Sequence, residues 1–123
     1  MKKMIALGLL LAAPVAAQED GHALFLQKCA ACHQAEGQGL PNPIPPLAGS
    51  PVLLGEESDV AGVVLHGKAG MPAFHFFLSD AKIAAILTYA RGSWGNAAPP
   101  VSEKVVADAR KLLGDDGFKL PSN

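Results

Sequence analysis

The chain has 123 residues with 10 basic and 11 acidic side chains, a formal charge of −1, and half of its residues are hydrophobic. That length allows one small domain, since a second core needs roughly another hundred residues. No basic stretch runs longer than Lys2-Lys3, which argues against a nucleic-acid partner, because phosphate binding draws on clustered Lys and Arg.

Residues 1–17 read as a secretory signal peptide. Met1-Lys2-Lys3 is a basic head, Met4 to Ala13 is almost purely apolar, and Val15-Ala16-Ala17 has the small residues of a cleavage site. The apolar run from Met4 to Ala17 is too short to span a bilayer comfortably. No cysteine follows it to take a lipid, so no stable membrane anchor is expected. Cleavage after Ala17 removes Lys2 and Lys3 and leaves eight basic against eleven acidic residues. The expectation is an exported, mildly acidic, periplasmic protein.

Four helices are predicted in the rest of the chain, and no segment alternates convincingly enough for a strand. The first runs from about Asp20, its N-cap, to Ala31, and puts Gly21, Phe25, Cys29 and Cys32 on one face. The second, about Ser58 to His66, groups Val60, Val63 and Val64 and stops at Gly67. The third starts at the N-cap Ser79 and carries Ile83, Ile86, Leu87 and Ala90 at i, i+3, i+4, i+7, with Arg91-Gly92 at its end. The fourth, Ser102 to Leu113, follows an Ala97-Ala98-Pro99-Pro100 linker. Between the first two helices, Gln34 to Gly55 holds nine glycines and prolines and reads as a long loop. So loop-rich a chain has little side-chain surface for a core, and small domains of this kind need a disulfide, metal or cofactor to hold them.

The two cysteines stand in Cys29-Ala30-Ala31-Cys32-His33, the C-x-x-C-H spacing of c-type haem attachment. On a helix, positions i and i+3 face the same way, so both thiols reach the two vinyl groups along one porphyrin edge and His33 meets the iron from one side. A thioredoxin-like pair would need a βαβ setting, and a zinc site a fourth ligand. A plain disulfide would suit an oxidising compartment but would leave the chain without a core.

From Asp20 to about Asn96 the sequence resembles a monohaem class I cytochrome c. Gly21 and Phe25 before the motif, Pro45-Pro46-Leu47-Ala48-Gly49 after it, Met71-Pro72, Leu78-Ser79-Asp80 and Tyr89 match its pattern. Leu65-His66-Gly67 and Arg91-Gly92-Ser93-Trp94-Gly95-Asn96 resemble the bacterial branch found free in the periplasm or as electron-accepting modules of dehydrogenases. The connection from Gly67 to Met71 is shorter than in many relatives of that branch. The resemblance implies an all-α cytochrome c fold: three core helices around one covalently bound haem c, plus an extra C-terminal helix outside the common core. It divides the chain into the signal peptide (1–17), a cytochrome c domain (18–96), and a linker with C-terminal helix and tail (97–123). It also implies that Gly21 lets the last core helix approach closely, with Phe25 near Ile86 and Tyr89. The carbonyl of Pro45 would accept a hydrogen bond from His33 Nδ1, orienting the ring and raising its basicity; the plain alternative is a loop proline.

For the second axial position, Met71 is the one methionine left after residues 1–17, 38 residues beyond His33 in a Gly70-Met71-Pro72 turn. Its alternative is to fill an apolar gap, and His66 and His75 are competing ligands. His22 is a ligand only in principle. Trp94 and Arg91 carry N–H groups suited to haem propionates, or are a packed indole and a solvated helix-end cation. His/Met ligation leaves no site for substrate, so the expected role is a non-enzymatic electron carrier between redox protein partners. The alternatives are a cytochrome subunit of a dehydrogenase, or a haem peroxidase or gas sensor with an open sixth position and His75 near it.

Overall fold

A computed structural model of the chain describes residues 19–112. The expected signal peptide, the last residue of the expected fourth helix and the C-terminal tail lie outside the described residues. The described residues form five helices: α1 (Gly21–Lys28), α2 (Ala30–His33), α3 (Glu57–His66), α4 (Asp80–Arg91) and α5 (Glu103–Lys111). The expected all-α architecture is found. Among the described residues, extended pairing is limited to two isolated bridges, Leu40 with Ile44 and Lys68 with Met71.

Local chemistry starts three of these helices where the sequence places them. The side chains of Asp20, Ser79 and Ser102 accept hydrogen bonds from the backbone N–H of Ala23 (3.1 Å), Lys82 (3.3 Å) and Val105 (3.2 Å), each satisfying a donor that the first turn leaves open. α3 begins a residue earlier than expected, at Glu57, with Glu57 and Asp59 in its first turn, where their charge suits the helix dipole.

α1 and α4 cross in close contact. A Cβ added at Gly21 would lie 2.1 Å from the Ala85 carbonyl oxygen and 3.0 Å from the Tyr89 Cβ, so only glycine admits this approach. Phe25 is buried at the crossing, with its ring 5.6 Å from Tyr89 and 5.1 Å from Trp94.

A substantial apolar core also exists, contrary to the sequence expectation. Leu24 and Phe25 of α1, Val60, Ala61 and Leu65 of α3, and Ile83, Ile86, Leu87 and Ala90 of α4 pack with Val101, Val106 and Ala109. The last three belong to the segment expected outside the common core. As that extra helix, α5 packs on α3 and α4, with Val106 fully buried. The preceding linker is pinned to α4: Thr88 Oγ1 donates to the Val101 carbonyl (3.1 Å) and accepts from its N–H (3.0 Å).

Arg91 is not the solvated helix-end cation of the sequence reading. It is 2% exposed, and its guanidinium donates to the carbonyls of Leu53 (2.6 Å), Gly55 (2.8 Å) and Pro99 (2.7 Å). It joins the long loop and the linker to the end of α4, a place where burying a cation requires several hydrogen bonds. Nor does Gly92 turn the chain after α4, since its φ is −111°. Trp94 and Gly95 make the reversal at φ of 54° and 84°.

Two stability changes follow. Gly21→Ala gains helix propensity but overpacks the crossing, for a net loss of about 1–3 kcal/mol in chemical denaturation. Arg91→Met leaves three carbonyls without their donor and costs on the order of 3–5 kcal/mol; thermal melts within a degree of the parent would refute this account of Arg91.

Candidate haem-attachment site

The C-x-x-C-H segment occupies the one-turn helix α2 and the residue before it. The expected continuous first helix is interrupted at Cys29, where φ is −121°. The hydrogen bonds carry across the break, from Cys29 N–H to Phe25 O (2.9 Å) and from His33 N–H to Cys29 O (2.9 Å). The turn is therefore kinked yet still seated on α1. Gln34 then turns the chain away at φ 67°.

Both cysteines are free thiols. Cys29 packs against the apolar core, whereas Cys32 is exposed. Burial, with the Cys32 thiol beside it, pushes the Cys29 thiol up to about 11. Cys29 is therefore a neutral thiol near pH 7. Burial also lowers the His33 pKa from its ordinary value, so the ring is neutral near pH 7 and keeps a lone pair for a metal.

The loop after the motif is tied back onto it. Gly39 N–H donates to the His33 carbonyl (2.9 Å) and Leu47 N–H to the Gly37 carbonyl (2.7 Å). Asn96, buried beyond α4, accepts from Gly49 N–H (2.8 Å) and donates to the carbonyls of Leu47 (3.2 Å) and Ala90 (3.0 Å). This amide role was not foreseen; its sequence signal is a polar residue directly after a turn glycine. Trp94 stands against the same loop: a Cβ at Gly37 would lie 2.6 Å from the indole ring. Its ring packs on Phe25 and meets Tyr89 edge-on at 5.7 Å. The structure thus brings Trp94 to the motif's loop.

The hydrogen bond expected from His33 Nδ1 to the Pro45 carbonyl is not made. Nδ1 is buried without a hydrogen-bond partner among the described residues, and the Pro45 carbonyl instead faces Gly39, 2.7 Å from where a Cβ would stand there. The left-handed Gly39, with no Cβ, lets the loop fold that tightly on itself. A buried nitrogen with no partner is costly and marks an imidazole placed for something other than packing.

Met71 lies in the tight turn after α3, where Lys68 and Met71 exchange backbone hydrogen bonds of 3.2 and 2.9 Å. Gly67, at φ 75°, makes the turn feasible, because a Cβ there would lie 2.4 Å from the Met71 carbonyl oxygen. Among the competing histidines, His22 stacks on Tyr89 at 4.8 Å, His66 ends α3, and His75 Nδ1 donates to the Leu65 carbonyl at 2.9 Å. The donor set fits a covalent haem: two free thiols one turn apart, followed by a neutral imidazole.

Comparison with known proteins agrees. The family model for cytochrome c oxidase, cbb3-type, subunit III matches residues 16–89. The chain is 33% identical over 126 residues to the cytochrome c subunit of the quinone alcohol dehydrogenase of Gluconacetobacter polyoxogenes, covering 93% of this chain and 26% of that protein. It thus spans about a quarter of that relative. It is 36% identical over 113 residues to a cytochrome c-552 of Thermus thermophilus, covering 79% of this chain and 75% of that one. The solved cytochrome c6 of the diatom Phaeodactylum tricornutum aligns with a TM-score of 0.51 at 35% identity, over 59% of this chain and 88% of that one. The attachment turn, the helices that carry it and these relatives lead to one assignment: the chain belongs to the monohaem c-type cytochromes, and its cofactor is a covalently bound haem c.

Proposed function

We propose that the protein carries single electrons between exported redox proteins, with haem c joined through Cys29 and Cys32 and ligated by His33 and Met71. The observation that carries this reading is the kinked Cys29–His33 turn, which offers two free thiols and a half-buried neutral imidazole from one support. When bound, the haem would supply an iron that changes oxidation state by one electron, with His33 and Met71 as the residues that would hold it. The chain's own residues fix its place. The α1–α4 crossing holds the thiols and His33, while the Lys68–Met71 turn presents the thioether from the far side of the sequence. Trp94, braced on Phe25, offers its indole N–H to a propionate in this reading. Pro45 shapes the loop through its contact with Gly39. Residues 1–17 direct the chain to the periplasm and are removed there. With no open coordination position, the protein is not an enzyme in its own right.

A second reading, a cytochrome subunit of a dehydrogenase, is favoured by the match of 93% of this chain to an alcohol dehydrogenase subunit. Co-purification with a stoichiometric partner separates it from a free carrier.

The ligand assignment is tested by absorption spectra and redox titration. The oxidised native protein should show the weak far-red band of sulfur-ligated ferric haem. Met71→Ala should abolish it, lower the midpoint potential by on the order of 0.1 V and open the ferrous iron to carbon monoxide. Met71→His should stay six-coordinate but also lower the potential. A Met71→Ala protein that keeps band and potential would rule Met71 out.

Docking to partners should rest on apolar contact. Leu40 and Val52 on the long loop are each 45% exposed, and the expected mature chain is only mildly acidic. Transient redox complexes are small, and exposed cations such as Lys28 and Lys68 steer weakly once screened. Stopped-flow electron-transfer rates should therefore change by less than about threefold between low and physiological salt. A steep fall with added salt would contradict this.

A further inference from the structure

We propose that Arg110, on the C-terminal helix, is the positioning residue that keeps the Met71-bearing connection closed, so that α5 sets how firmly the sixth position stays shut. The proposal rests on the reading of Met71 as an axial ligand.

Residues 67–79 join α3 to α4 with little apolar burial to hold them. Leu78 is the one fully buried core residue of this connection and Phe74 packs against the core in part, while Phe76 and Phe77 are each 73% exposed. Segments with few buried contacts open at low free-energy cost, so polar bonds must supply what packing does not. On one side they come from α3: Phe74 N–H donates to the Val64 carbonyl (3.0 Å), and both the N–H and Nδ1 of His75 reach the Leu65 carbonyl (3.3 and 2.9 Å).

On the other side stands the guanidinium of Arg110. Arg110 Nη1 donates to the His75 carbonyl, Nη2 to the Leu78 carbonyl at 2.7 Å, and Nε to Asp80 Oδ1 at 2.6 Å. Asp80 is the first residue of α4. One side chain thus bridges the second half of the connection and the start of the helix that follows. The Arg110 and Asp80 side chains are 29% and 26% exposed, so solvent screens this pair less than the Lys104–Asp108 pair on the same helix, at 83% and 49%. The planar fork is what reaches three acceptors in fixed directions, and a lysine ammonium cannot reproduce that. α5 is itself fixed by the buried Val106 and Ala109. The position of the connection, and of the Met71 turn within it, is thereby referred to the C-terminal helix.

The experiment uses the full, haem-loaded chain and reads the far-red band, carbon monoxide binding by the ferrous form, covalent haem content and the thermal midpoint. Arg110→Ala should weaken the band and raise carbon monoxide binding about tenfold, with haem content and helicity kept. Arg110→Lys, which retains the charge but not the fork, should fall between it and the parent. Lys104→Ala is the control for loss of a cation from α5: its exposed pair with Asp108 lies within the helix, so the band and the closed iron should stay unchanged. If Arg110→Ala matches the parent in band and carbon monoxide binding, or if Lys104→Ala reproduces its effect, the proposal fails. Should Arg110→Ala not accumulate, Arg110→Lys decides, and native behaviour there overturns the idea. Met71→Ala measured alongside tells the two failures apart. If it keeps the band, the ligand assignment falls and takes the Arg110 role with it. If it loses the band while Arg110→Ala does not, the assignment stands and only the Arg110 role is lost.

Discussion

Where Gly21 passes the Ala85 carbonyl, α1 and α4 come nearer than any side chain would permit. That contact orients α1, and α2 is joined to α1 through Cys29, whose N–H bonds back to Phe25 and whose carbonyl accepts from His33. The direction in which Cys29, Cys32 and His33 leave the frame is therefore set about two turns away from them. Phe25, Tyr89 and Trp94 fill the same crossing, and Trp94 extends the support to Gly37 in the loop behind the motif. A van der Waals limit at one glycine is thus transmitted through stiff rings to the place where the cofactor attaches, as close-packed interiors do.

The long connections are held by a different means. Without a sheet, their backbone groups have no ladder to join, and buried polar groups must find partners individually. Arg91, Asn96 and Arg110 meet that need. Each leaves a helix or its immediate continuation: Arg91 and Arg110 each donate to two carbonyls of a remote segment, and Asn96 bonds to one remote carbonyl and one remote N–H. Arginine suits the task because several donors in a fixed fork offset the cost of removing one charge from water. The result is a molecule whose loops are as tightly referenced to the helices as the helices are to one another. A one-electron carrier benefits, because its ligands need not move when the iron changes charge.

α5 alters the balance of the small domain. A chain of this size with a long proline- and glycine-rich loop has a thin core unless something is added. Val101, Val106 and Ala109 supply apolar surface to α3 and α4, while the linker is locked by Thr88 and Arg91. The C-terminal segment is thus part of the same packed unit as the helices that carry the site.

What the sequence determined by itself was local. The N-caps at Asp20, Ser79 and Ser102 act over three residues, and Cys29–His33 is a contiguous motif whose spacing alone states its chemistry. Tertiary structure decided everything that joins distant segments. The side chain of Arg91 looks the same in sequence whether it enters water or turns inward, and its acceptors at Leu53 and Gly55 lie 38 and 36 residues away. Asn96 bonds across 47 and 49 residues, and Arg110 ties α5 to the connection of Met71 from more than 30 residues off. The absent His33–Pro45 bond belongs with these, since its two ends stand on a loop that folds back on itself at Gly39. Local propensity cannot choose among such partners, because each choice depends on where the Gly21–Ala85 crossing has already put the rest of the chain.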